Sequence, residues 1–138
     1  MSGEVRKQLE KLVVELELKD RFHFLGWLDH AEKLLCAMDV FVSASETESF
    51  GLVIAEAMAA GTAVVATETE GAKEVIDDQK TGILVPIGDV NGIANAITTL
   101  LQNPGEIGLR AREAANAKFS LKRMVDEIEQ IYTADLRS

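Results

Sequence analysis

The chain has 138 residues, 47% apolar and 27% charged, with a formal net charge of -9 at pH 7. These values predict one globular domain and exclude a disordered or fibrous chain. The acidic balance argues against a nucleic-acid surface, which needs clustered Lys and Arg to release counterions.

A single cysteine, Cys36, excludes an internal disulfide and, with no second thiol and no histidine cluster, a structural zinc site. No apolar run approaches the roughly 18–20 residues of a membrane span, and MSGEVRKQLEKL has no apolar leader, so a cytoplasmic chain without a transmembrane segment is expected. In chain order, Val5, Leu9, Leu12, Val13 and Leu16 form one helical stripe, predicting a helix over 4–18. Phe22-His23-Phe24-Leu25, bounded by Gly26, has the length and aromatic content of a strand. Asp29 reads as the N-cap of a short helix over 31–38, and Val40-Phe41-Val42 as a continuously apolar strand.

A turn-rich loop, 43–49, then leads into a helix over 50–60 ended by Gly61. Ala63 to Ala66 is the next strand, followed by a short helix around 72–76, a polar turn at 77–80 and the strand Ile83-Leu84-Val85, stopped by Pro86. Asp89 caps a helix carrying Val90, Ile93, Ile97, Leu100 and Leu101, and Pro104 opens another. Ser120 caps a last helix whose stripe, Leu121, Met124, Val125, Ile128, Ile131 and Tyr132, is expected to fold back over the sheet.

Apolar strands alternating with helices predict an α/β fold: a parallel sheet of about four strands flanked by helices, with ligands at the carboxyl ends of the strands. Three loops face that end, 26–30, 43–51 and 67–73. The second is the most informative. Its sequence, S-A-S-E-T-E-S-F-G-L-V-I-A-E-A-M-A-A-G, runs from a strand end into a helix N-terminus, where unpaired amides and the helix dipole favour an anion. Gly51 leaves the backbone open to a ligand, and two carboxylates, Glu48 and Glu56, flank the turn.

Carboxylates accept hydrogen bonds from sugar hydroxyls, each contributing about 1.5–3 kcal/mol. Eight residues of helical rise span about 12 Å, the reach of a nucleotide diphosphate sugar from ribose to hexose. On that geometry Glu48 holds the transferred sugar, the amides of Ser49, Phe50, Gly51 and Leu52 the diphosphate, and Glu56 the ribose diol.

The segment E-S-F-G-L-V-I-A-E resembles the E-x7-E signature of retaining glycosyltransferases with the GT-B fold, glycosyltransferase group 1 (family 4). The resemblance extends over F-x-F-L-G-W-L at 22–28, S-E-T-E-S-F-G-L-V-I-A-E-A-M-A-A-G-T-A-V-V-A-T at 45–67, E-G-A-K-E-V-I at 70–76 and T-G-I-L-V-P at 81–86. It implies a Rossmann-like donor-binding domain, the C-terminal half of a GT-B fold over 1–138 with its first strands missing. It further implies a nucleotide-diphosphate sugar as donor, Glu48 near the donor sugar in a catalytic role, Glu56 on the ribose, and Trp27 and Leu28 beside the base. No metal and no cofactor are implied.

Ala63, and often Ala44, stand where the family has Pro, and Glu70 replaces the first of a common Gly-Gly pair before Glu74. The family's Arg and Lys for the diphosphate and its acceptor-binding domain have no counterpart in these residues. The expectation is therefore a chain inactive in isolation, paired with an acceptor-binding domain in the same or another chain, and possibly a homo-oligomer. The competing reading is a non-catalytic nucleotide-sugar-binding or interaction module. His23 and His30 read as structural or solvated, Cys36 as a small apolar residue, and Glu46, Glu48, Glu68 and Glu70 as loop carboxylates rather than a cation site.

Overall fold

A computed structural model of the chain describes residues 3–135. The elements are α1 (Gly3–Glu15), α2 (Glu32–Leu35), β1 (Val40–Ser43), α3 (Leu52–Ala60), β2 (Ala63–Thr67), α4 (Glu70–Val75), β3 (Ile83–Val85), α5 (Val90–Gln102), α6 (Pro104–Phe119) and α7 (Leu121–Asp135). The strands form a parallel sheet in the order β1-β2-β3, with Val40 opposite Ala63 and Val65 opposite Ile83. β2 is buried along its whole length, which is why it reads as an unbroken small and β-branched run.

Alternation along β2 divides the core. Val64 and Ala66 pack with Ile54, Ala57 and Met58 of α3, Ala72 and Val75 of α4, and Ala111 and Ala115 of α6. Ala63 and Val65 pack on the other face with Ile83, Val85, and Ala96 and Leu100 of α5. The result is a helix-sheet-helix sandwich. Two N-caps behave as expected: Asp89 accepts from the Gly92 amide at 2.8 Å, and the Ser120 hydroxyl accepts from the Arg123 amide at 3.3 Å. Gly61 ends α3 at φ 84, as its left-handed role requires.

Several expectations are corrected. The sheet has three strands among the described residues, because Phe22–Leu25 is irregular. Its rings satisfy themselves locally: Phe22 and Phe24 lie 4.9 Å apart, and the Arg6 guanidinium of α1 sits 5.1 Å from the Phe24 ring. α1 stops at Glu15 rather than 18, since Glu17 is left-handed (φ 55) and the Leu18 amide returns to the Val13 carbonyl. Asp29 does not cap α2. His30, at φ 61, intervenes, and Ala31 takes the N-cap position without a side-chain bond. α7 does not cover the sheet; it follows α6 and leaves Leu121, Ile131 and Tyr132 largely exposed.

Candidate functional site

The carboxyl ends of β1 and β2 carry the loop that enters α3. Thr67, the last residue of β2 and buried, donates its hydroxyl to the carbonyls of Ser43 (3.3 Å) and Ser45, fastening the start of that loop to the sheet. Farther along, the Glu48 carbonyl accepts from the Gly71 amide of α4 at 2.9 Å. Gly51 then starts α3 at φ 75, a conformation open to glycine, with its α-carbon facing the Gly71 carbonyl oxygen: a β-carbon there would lie 3.1 Å from it.

Glu48 is half-buried, and its Oε1 accepts from the Gly51 amide at 3.3 Å. A carboxylate so placed lies at the positive end of α3, where Leu52, Val53 and Ile54 have no carbonyl four residues back within the helix. Glu48 and Ser49 line a cavity of about 270 Å3 together with Glu46, Thr47, Glu68, Thr69, Glu70 and Ile87. The cavity thus joins the loops that follow all three strands. Its carboxylates accept hydrogen bonds from hydroxyls, and the helix start beside it donates them. Glu70 is answered by Lys73, whose Nζ lies 3.3 Å away in an exposed pair. Among the described residues no group of His, Cys, Asp and Glu is arranged to hold a metal ion.

The other expected site residues are distributed more widely. The Phe50 ring packs edge-on against Phe119 at 6.0 Å, and with Leu52 it lines a separate groove of about 450 Å3 at the α6–α7 junction. Glu56 lies on the exposed face of α3 with Leu52, Val53 and Ala59, and is not among the residues lining the Glu48 cavity. The helix begins at Leu52 and not at 50, so helical rise accounts for only about 6 Å of the Glu48–Glu56 separation. The expected 12 Å helical rod does not exist, because residues 48–51 turn back on Gly71. Trp27 is 93% exposed and lines a third cavity with Arg6, Leu9 and residues 22–26; Leu28, 38% exposed, does not line it.

Ile87 and Gly71 were not anticipated. The position of Ile87 just beyond β3, at the sheet's carboxyl end, was the available signal; for Gly71 it was its place as the remaining glycine of the Gly-Gly pair in the loop over 67–73.

Residues 1–103 match the family described as "Glycosyl transferases group 1". N-acetyl-alpha-D-glucosaminyl L-malate synthase of Bacillus anthracis is 39% identical over 130 residues, covering 92% of this chain and 34% of that protein. Sucrose-phosphate synthase of Thermosynechococcus elongatus superposes with a TM-score of 0.85 at 36% identity, over 98% of this chain and 35% of the other. Anabaena HepE in complex with UDP superposes with a TM-score of 0.89 at 29% identity, over 97% of this chain and 38% of the other. The chain therefore spans about a third of the length of the curated relatives it matches. No helix among the described residues is long and apolar enough to cross a membrane.

Proposed function

The chain belongs to the glycosyl transferases group 1 family, and from that premise we propose that it forms the carboxy-terminal, nucleotide-sugar-binding part of a retaining GT-B glycosyltransferase. The observation that carries this reading is the Glu48 carboxylate beside the N-terminus of α3, at the carboxyl end of a parallel sheet. It is supported by the likeness to HepE, solved with UDP and with UDP-glucose.

In this reading Glu48 accepts hydrogen bonds from the transferred sugar, and the amides from Ser49 to Leu52 meet the diphosphate. The α3 dipole stabilises the charge that develops on the departing diphosphate. Glu56 accepts from the ribose diol, with Trp27 and Leu28 beside the base. Transfer needs an acceptor-binding part, in the same or another chain, to bring the acceptor hydroxyl to the sugar. The isolated chain binds donor, transfers nothing and associates with copies of itself.

Calorimetry on the chain with UDP and UDP-glucose tests the assignment. UDP-glucose is expected to bind more tightly than UDP, and Glu48→Ala to remove most of that difference. Equal affinities of the wild type and Glu48→Ala for UDP-glucose would overturn the role of Glu48, and absence of binding by either ligand would overturn the donor-binding reading. A second reading, a binding module without catalysis, is favoured by one observation: among the described residues no Lys or Arg lines the Glu48 cavity, whereas Glu70 does. Transfer on adding a relative's acceptor-binding domain would rule that reading out.

A further inference from the structure

The loop bearing Glu48 is held from below by a residue that touches no expected ligand group. Gly71 is buried in the first turn of α4 and donates its amide to the Glu48 carbonyl at 2.9 Å. A β-carbon at Gly71 would lie 2.6 Å from that same oxygen, 2.7 Å from the Phe50 nitrogen and 2.9 Å from the Phe50 carbonyl carbon. These are backbone atoms, so a side chain at 71 is accommodated only by moving residues 48–50. The Gly71 carbonyl in turn faces Gly51.

Gly71 is itself immobilised. Thr69 caps α4 through the Ala72 amide, and Ala72 and Val75 are sunk in the core. The same loop is fastened at its start by the Thr67 hydroxyl on the Ser43 and Ser45 carbonyls. The strain of any added volume at 71 therefore falls on the Glu48 loop, because Gly71, Ala72 and Val75 are buried whereas Glu48 is half-buried and Ser49 and Phe50 are exposed.

We infer that Gly71, with Thr67, is a positioning residue for the donor site: it sets the height of the Glu48 carboxylate and of the Phe50 and Gly51 amides above the sheet. The step from positioning to donor affinity rests on the proposed donor-binding function; the structural step does not. Glu56, held by α3, is outside this clamp, so sugar-diphosphate contacts and ribose contacts respond differently to its loss.

The test uses the full chain, labelled with 15N, and the variants Gly71→Ala and Thr67→Val, with Gly105→Ala as a control because a β-carbon there meets nothing within 4 Å. In folded Gly71→Ala the Gly51 amide resonance, which reports the bond to Glu48, is expected to move while resonances of α5 stay in place. UDP-glucose affinity is expected to fall about tenfold or more, as for loss of a hydrogen bond to a charged group, and uridine affinity by no more than about twofold. Thr67→Val should act in the same direction more weakly, and it decides the matter if Gly71→Ala does not fold. An unmoved Gly51 amide in the folded variants, or equal losses for UDP-glucose and uridine, overturns the inference. If the wild-type chain binds no UDP-glucose, the donor-binding reading fails, and the Gly51 resonance still decides the positioning claim.

Discussion

At the scale of single residues, the two carboxylates of the E-x7-E segment differ in environment. Glu48 is half-buried and bonded to the Gly51 amide, whereas Glu56 stands exposed on the outer face of α3. If Glu56 holds the ribose diol, Glu56→Ala is expected to weaken UDP binding by about 1.5–3 kcal/mol per lost bond, or roughly 10–150-fold, measured by calorimetry. The same substitution should leave folding intact, since the side chain is exposed. Glu70 is expected to act in the opposite sense. It lines the cavity of Glu48 with its charge only partly answered by Lys73, so Glu70→Gln should tighten UDP binding about threefold at low salt, an advantage that fades as ionic strength rises. A salt-independent change, or weaker binding, would show that Glu70 does not face the diphosphate. The place of Glu48 at the start of α3 was legible because a strand-to-helix turn with glycine has few alternatives, whereas the expected helical span from Glu48 to Glu56 was not found, because α3 begins only at Leu52. Gly71 was legible only as a glycine of a ligand-facing loop; its contact with the Glu48 loop was not, because that requirement arises where two loops distant in sequence press together.

Among the elements, the three paired strands and the helices on both faces could be read from sequence, since β1, β2 and β3 and the buried faces of α3, α5 and α6 have their partners within the chain. Phe22–Leu25 shows the limit of such reading. Strand composition describes fitness for a sheet position, and a strand forms only where the chain brings the segment alongside an edge to exchange hydrogen bonds. Here the aromatic rings turn to each other and to α1 instead. The α7 stripe carries the same lesson: amphipathicity says that a face seeks cover and not which surface supplies it. Packing between α3 and α6 gives a sharper expectation. Gly108 of α6 abuts the Gly61 carbonyl so closely that any β-carbon would collide with backbone. Gly108→Ala should therefore destabilise the chain by about 1–3 kcal/mol despite the better helix propensity of alanine. Thermal unfolding measures this, and an unchanged or higher midpoint would show that α6 slides without cost.

For the molecule as a whole, the surfaces left open set its behaviour. β1 is an edge strand of Val40-Phe41-Val42-Ser43 with no charge along it, paired only to β2 among the described residues. Such an edge presents unpaired amides and carbonyls in an apolar setting and serves as a template for another strand. The stripe of α7 adds Leu121, Met124, Ile131 and Tyr132, each more than half exposed, and exposed apolar side chains grouped on one helix face favour association. Opposing this, two copies each carry a formal charge of -9 and repel through a field screened within about 10 Å at 0.1 M salt. The balance predicts a specific salt response: light scattering should find monomer at low ionic strength and a growing associated fraction as salt rises, the reverse of an association held by ion pairs. Val42→Lys places a charge on the β1 edge at a partly exposed position and should reduce association without unfolding the sheet. If the chain is the donor-binding part of its enzyme, glycosyl transfer is expected from it alone in neither state, because an acceptor-binding part would have to bring the acceptor hydroxyl to the sugar. A monomer at every salt concentration would show that the open edge and stripe are too weakly apolar to overcome the charge, and transfer by the purified chain would remove the requirement for an acceptor-binding partner.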